Sequence, residues 1–147
     1  MTERKAIAAD LEKVTDLALA LWPEHAADEM ADEMARYIAG PKTAAFLMEE
    51  GERAIALALS SLRYDYVEGA KKSPVGYLEG IYVDASCRGK GIARKLMAAA
   101  QQWAKEMGCH EFASDCELNN QESLAFHLAC GFEEANRIIC FVKRIGE

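Results

Sequence analysis

The sequence predicts an α+β fold in which a mixed sheet carries helices on both faces. Three observations predict it. Apolar residues recur at helical spacing in four segments and at strand spacing in others, and the two kinds follow a mixed order rather than a strict βα repeat. The 147 residues suffice for one core and leave no room for two, so 1–147 are expected to form a single domain. Hydrophobic residues make up 51% and charged residues 28%, a globular rather than a disordered composition.

The elements follow in order. Leu11, Val14, Leu17, Ala18 and Leu21 define a first helix, which Pro23 ends after Trp22. A second helix is expected over 26–38, stopped by Gly40-Pro41. Strands over 43–48 and 53–64 flank Glu50-Gly51-Glu52 as a hairpin. A polar, aromatic-bearing loop follows from Tyr64, and 75–83 is a strong strand. The clearest helix is 89–107, with Ile92, Leu96, Ala100, Trp103 and Met107 on one face and Gly108 as its stop. A short strand over 110–115, a helix over 119–130 ended by Gly131 and a final strand over 132–143 complete the order α-α-β-β-β-α-β-α-β.

Composition narrows the function. A net charge of −7 argues against nucleic acid as the partner, because phosphate binding wants a basic face; it suits a polycationic small substrate. No apolar run approaches the roughly 20 residues that cross a bilayer, so no membrane role is expected. The opening Met1-Thr2-Glu3-Arg4-Lys5 is no secretory signal, and the chain is expected in the cytoplasm. Five cysteines with no C-x-x-C pair read as small buried or half-buried thiols in a reducing compartment, and no metal is expected.

The informative stretch is Gly80-Ile81-Tyr82-Val83-Asp84-Ala85-Ser86-Cys87-Arg88-Gly89-Lys90-Gly91-Ile92-Ala93. A strand feeds a loop of small and basic residues that opens into the long helix. Glycines let the backbone approach a ligand, and the unpaired N–H groups of a first helical turn form an anion site suited to a diphosphate. Arg88, Lys90 and Arg94 add positive charge. The loop lacks the Gly-Lys-Ser/Thr ending of a P-loop and the G-x-G-x-x-G register of a dinucleotide fold.

Arg88-x-x-Gly91-x-Ala93 is similar to the R/Q-x-x-G-x-G/A acetyl-CoA signature of the GNAT N-acetyltransferase superfamily, and Asn119-Asn120 … Cys130-Gly131-Phe132 resembles its later N-x(n)-G-F segment. The resemblance implies a mostly antiparallel mixed sheet with a splayed strand. It implies acetyl-CoA as co-substrate. Ile81, Tyr82 and Val83 would pair with pantetheine, Arg88, Gly89, Lys90, Gly91, Ile92, Ala93 and Arg94 would hold the diphosphate, and Asn120 would serve near the thiol. An amide-rich pantetheine can add to a free strand edge like another strand.

A finer resemblance concerns the acceptor. Leu21-Trp22-Pro23-x-His25, Asp65-Tyr66-Val67-x-Gly69, Leu78-Glu79-Gly80-Ile81 and Ala113-Ser114-Asp115 together resemble one branch of the aminoglycoside 6′-N-acetyltransferases. That implies an acceptor pocket of Trp22, His25, Tyr66, Glu79 and Asp115, and a homodimer that would cover Ile138, Ile139, Phe141 and Val142. Read by themselves, Trp22 equally suits a core cap, His25 the surface, Tyr66 a turn and Asp115 a strand end. Glu79 is the sharper signal, a carboxylate interrupting the apolar strand of Tyr77, Leu78, Ile81 and Val83. Two departures stand out: His127 where many GNAT enzymes have a thiolate-protonating tyrosine, and Asn136 where the branch often has an acid.

The implied chemistry is direct attack of a neutral amine on a thioester in a ternary complex, through a tetrahedral oxyanion met by a backbone N–H, expected to be that of Ile81. An alkylamine with a lysine-like pKa is about 0.1% neutral or less at pH 7. Glu79 would accept the reacting proton, directly or through water, and Asp115 would hold non-reacting amines. Two other readings stay open: an acetyltransferase of polyamines, protein N-termini or another small amine, and a non-catalytic CoA-binding sensor.

Overall fold

Two near-continuous apolar runs in 43–63, buried on both faces, meet across a tight turn and make the central hairpin of the computed structural model, which describes residues 1–146. Strand β2 (Thr43–Glu50) and strand β3 (Arg53–Arg63) pair antiparallel around Gly51, whose φ of 64° is one that side chains rarely adopt. Strand β4 (Val75–Val83) then pairs antiparallel along the other side of β3. Strand β1 (Thr2–Lys5) pairs antiparallel with β2 at one edge, and strand β5 (Phe112–Ala113) lies parallel to β4 at the other. The sheet order is β1-β2-β3-β4-β5, mixed and mostly antiparallel as expected.

Period-2 alternation decides which helix each strand residue meets. Ala45, Leu47, Leu57 and Leu59 point to a core completed by Val14, Leu17 and Ala18 of α1 (Leu11–Leu21) and by Met30 and Met34 of α2 (Ala27–Ala39). Phe46 points the other way and meets Trp103 of α3 (Ile92–Glu106) edge-on, at 6.5 Å and 67°. Helices therefore cover both faces. Helix α1 ends where the sequence predicts, because Trp22 precedes Pro23 and turns out of the helical region at ψ 73°.

The chain divides into two compact units, 1–115 and a second that begins at Cys116. The second unit holds α4 (Gln121–Ala129), which Asn120 caps by accepting from the Ser123 N–H at 3.0 Å.

Five expectations are corrected. The N-terminal residues form β1, an edge strand with no apolar alternation. It is fixed instead by ion pairs, since Arg4 donates to both Asp10 oxygens at 2.7 Å and to Glu49 at 2.6 Å. The long helix starts at Ile92, not at residue 89, because Gly89 and Gly91 take φ of 81° and 77°. The short strand shrinks to Phe112–Ala113. Residues 132–146 form no regular strand: a strand exists through its ladder, and this segment makes none among the described residues. Its Phe141 is 91% exposed, with Ile138, Ile139, Val142 and Ile145 similarly bare. All five thiols are free; Cys87 and Cys109 are buried and Cys130 half-buried, but Cys116 and Cys140 are exposed, against the sequence reading.

The Arg4–Asp10 pair gives a stability prediction. The two Arg4 bonds, helped by the Ile7 N–H, hold the buried Asp10 carboxyl at about 2 against an ordinary 3.8. A depressed carboxyl contributes stability that is present above its unfolded value and disappears as pH falls through the folded one. Asp10→Asn is therefore expected to lower stability at pH 7 by about 2 kcal/mol, or roughly 4–8 °C in Tm. The difference from the parent chain should close between about pH 4 and pH 2, as thermal melts across that range would record.

Candidate active site

Two groups of residues meet at β4. One lies at the C-terminal end of the strand, where it runs into the loop before α3. Asp84 caps a short 3-10 turn over Ala85–Cys87 by accepting from the Ser86 N–H at 3.2 Å, and it also pairs with Arg53. That N–H bond is the main reason its carboxyl lies below the usual range. Arg88 Nε donates to the Val83 carbonyl at 2.9 Å, and its guanidinium lies 5.8 Å from the Tyr82 ring, so it folds back over the strand end.

Gly91 is the cap residue of α3, and no side chain caps the helix there. First-turn N–H groups at a helix mouth can bind an anion, and the helix dipole favours one. A Cβ placed on Gly89 or Gly91 would meet nothing within 4 Å, so open space lies beside the loop. Lys90 shares that loop with Arg88. This donor set fits a diphosphate. Among the described residues, β4 has no strand on its second side beyond Tyr77: the β4–β5 ladder pairs Gly76 with Phe112 and Tyr77 with Ala113. Ile81, Tyr82 and Val83 therefore lie on an edge that pairs with β3 alone.

The other group surrounds Glu79. Its Oε2 accepts from Ser61 Oγ at 2.6 Å and from Arg63 Nε at 3.0 Å, and its Oε1 accepts from Arg63 Nη2 at 2.7 Å. The Arg63 guanidinium in turn lies 3.4 Å over the Tyr77 ring, and the Tyr77 hydroxyl donates to Asp115. Burial, then the bond to Asp115, pushes the Tyr77 phenol well above its usual value. Helix α2 adds Tyr37, also pushed up, chiefly by burial and next by the Glu79 charge. The half-buried Glu79 carboxylate is thus paired within the chain, which offsets the cost its place in an apolar strand implies.

Trp22 reaches the same neighbourhood. A Cβ on Gly80 would lie 2.6 Å from the Trp22 ring, so the missing side chain makes room for the indole. The structure brings Trp22 and Asp115 to the stretch of β4 that carries Glu79, through Gly80 and Tyr77 respectively. Among the described residues, His25 and Tyr66 have local partners: His25 stands 3.5 Å from Glu24, and Tyr66, 82% exposed, donates to Glu68 at 2.7 Å. In the second unit, His127 Nδ1 donates to the Ser123 carbonyl at 2.7 Å, between the edges of Phe126 and Phe132. Asn136 Oδ1 accepts from the Arg137 N–H at 2.8 Å. Sequence reasoning missed Ser61, Arg63 and Tyr77. The available signal was Ser60-Ser61 breaking the apolar run of β3, with Arg63 two residues on and on the same face.

Among the described residues no cluster of three His, Cys, Asp or Glu could hold a metal, and no helix is long and apolar enough to cross a membrane. A groove of about 550 Å³ lined by Lys5, Ile7, Leu11 and Ile38 contains none of these site residues.

A strand with a free edge feeding a glycine loop at a helix mouth, with a carboxylate on that strand, is an arrangement that suits acyl transfer from a diphosphate-bearing thioester. The sequence model of the acetyltransferase (GNAT) family matches residues 11–132, and the chain belongs to that family. Within it, the chain is 42% identical over 142 residues to an aminoglycoside N(6′)-acetyltransferase type 1 of Stenotrophomonas maltophilia, covering 95% of this chain and 91% of that one. It is 41% identical to its namesake from Serratia marcescens, covering 88% and 90%. Among solved structures it is similar to AAC(6′)-Iy in complex with the bisubstrate analogue CoA-S-monomethyl-acetylneamine, with a TM-score of 0.94, 38% identity and 97% of both chains covered. The apo AAC(6′)-IG of Acinetobacter haemolyticus aligns at a TM-score of 0.92, with 37% identity over 99% of this chain and 100% of that one.

Proposed function

We propose that this enzyme transfers the acetyl group of acetyl-CoA to the 6′-amine of an aminoglycoside, inactivating the antibiotic. The match to AAC(6′)-Iy bound to an analogue joining CoA to acetylneamine carries the reading, because it extends over nearly all of both chains. The two units serve as one acetyltransferase domain, a reading supported by the family match running across residue 115.

Bound acetyl-CoA supplies an activated acyl thioester. In this reading the N–H groups at the mouth of α3, with Arg88, Gly89, Lys90, Gly91, Ile92, Ala93 and Arg94, hold its diphosphate. The free edge of Ile81, Tyr82 and Val83 receives the pantetheine amides, and the Ile81 N–H stabilises negative charge on the acyl oxygen. Asn120 spends its side-chain oxygen on the α4 cap, so its contribution to the co-substrate is the amide NH₂. Glu79 takes the proton of the reacting amine, directly or through a water, and Asp115 holds ammonium groups that do not react. Trp22, His25 and Tyr66 complete the acceptor pocket.

The test is a transfer assay with acetyl-CoA and a panel of kanamycin, spermidine and a peptide, followed by fragmentation mass spectrometry of the product. Acetyl on the 6′ nitrogen of kanamycin is expected. Transfer to spermidine or peptide alone would replace the acceptor, and tight acetyl-CoA binding without transfer to any amine would favour a sensor.

A homodimer in the cytoplasm is part of the same reading. The bare apolar side chains of Ile138, Ile139, Phe141 and Val142 support it, since burial of such a run is worth about 1.5–3 kcal/mol per large side chain. Light scattering is expected to give twice the chain mass, falling to the chain mass for Phe141→Asp.

A further inference from the structure

The network on β3 and β4 contains a cation that the reaction above does not use. The chain's own Arg63 already sits on Glu79, the carboxylate read as the receiver of the acceptor amine. A carboxylate offers about four lone-pair sites. Ser61 and the two Arg63 contacts take three of them. An incoming ammonium finds one site while Arg63 stays, and three once it leaves.

We propose that Arg63 is a resident counter-cation that an ammonium group of the acceptor displaces from Glu79, so that Arg63 sets how strongly the site selects for the charge of its acceptor. The inference rests on the acetyl-transfer reading. Arg63 is more open to solvent than its partner, with its side chain 41% exposed against 23% for Glu79, so a guanidinium that leaves Glu79 can be solvated. Ser61 would keep Glu79 in place after the guanidinium leaves, and the bond to Asp115 keeps the Tyr77 ring in place. The space vacated is bounded by a carboxylate and by the face of an aromatic ring whose own hydroxyl is tied to a second carboxylate. That combination binds organic ammonium groups. Exposed ion pairs are weak in water, so an acceptor with several ammonium groups can compete with one guanidinium.

The experiment is calorimetric titration of kanamycin into the intact protein and into Arg63→Gln, Arg63→Ala and Arg63→Lys. Removing the competitor is expected to tighten binding about fivefold in the Gln and Ala forms, the factor an exposed pair is worth. The Lys form should lie nearer the parent. In the parent chain, the Arg63 Nε resonance should shift as kanamycin is added. Unchanged or weaker binding in a folded neutral variant overturns the proposal, as does an Arg63 resonance that ignores saturating kanamycin, or kanamycin binding to none of the forms. A purely structural Arg63 would lower Tm and leave the affinity unchanged or poorer. These readouts need no turnover, so failure of acetyl transfer by the parent chain is a separate result that bears on the functional reading.

Discussion

Glu79→Gln is expected to lower kcat/KM for an aminoglycoside by at least tenfold, and by up to the roughly 10²–10⁴ that a positioned base contributes. The substitution keeps size and shape, so the fold should survive. A glutamine oxygen can still accept from Ser61 and from Arg63 Nε, but its NH₂ then faces Arg63 Nη2 and the 2.7 Å bond is lost. Arg63 is well exposed, which limits that loss to about 1 kcal/mol or less, or roughly 2–4 °C in Tm. The acetyl-CoA KM should move less than twofold. A small loss of stability beside a large loss of turnover separates a chemical role from a structural one, and steady-state kinetics with both substrates measures it. Turnover like that of the parent would remove Glu79 from proton transfer.

Gly91→Val is expected to weaken acetyl-CoA binding by about 10²-fold. Residue 91 takes φ of 77°, where a β-branched residue costs about 1–2 kcal/mol of fold stability. The added side chain would enter open space beside the loop, where the proposed function puts the diphosphate. Losing two charge-assisted hydrogen bonds costs about 3 kcal/mol, which is the predicted factor. Gly108, at the far end of the same helix, has φ of 94° and equally open space. Gly108→Val should therefore carry a similar strain and leave acetyl-CoA affinity unchanged. If both variants weaken binding alike, backbone strain is the cause and the diphosphate assignment is wrong.

Much of this was legible in the sequence because the signals were local. Strand β4 falls on Val75–Val83 as its apolar run and flanking loops require, and α1 stops at the residue before Pro23. The loop from Arg88 to Gly91 is equally local, and its glycines do take the conformation that makes them informative. What escaped was set by partners distant in sequence. Strand β1 is four polar residues whose pairing depends on Glu49 and Asp10, neither of which marks it as a strand. Ser61 and Arg63 acquire a role only because the β3–β4 register puts them beside Tyr77 and Glu79. The segment 132–146 has the apolar residues of a strand without a ladder to join among the described residues, so the sequence marked its exposed side chains and was silent about pairing.

That contrast also explains why Glu79 was the best single clue and an incomplete one. A carboxylate in an apolar strand demands compensation, and sequence alone cannot say whether the chain or a ligand provides it. Here the chain provides Ser61 and Arg63. Under the proposed function, an acceptor amine would meet an existing ion pair at Glu79.

The central claim is that the helix mouth after β4 grips a diphosphate and thereby presents a thioester beside Glu79. Calorimetry with coenzyme A and with pantetheine, which shares the thiol arm but has no diphosphate, tests it most directly. The account predicts that coenzyme A binds at least about 10²-fold more tightly, from charge-assisted bonds that pantetheine cannot make. Equal affinity for the two, or no heat from coenzyme A at all, would contradict it.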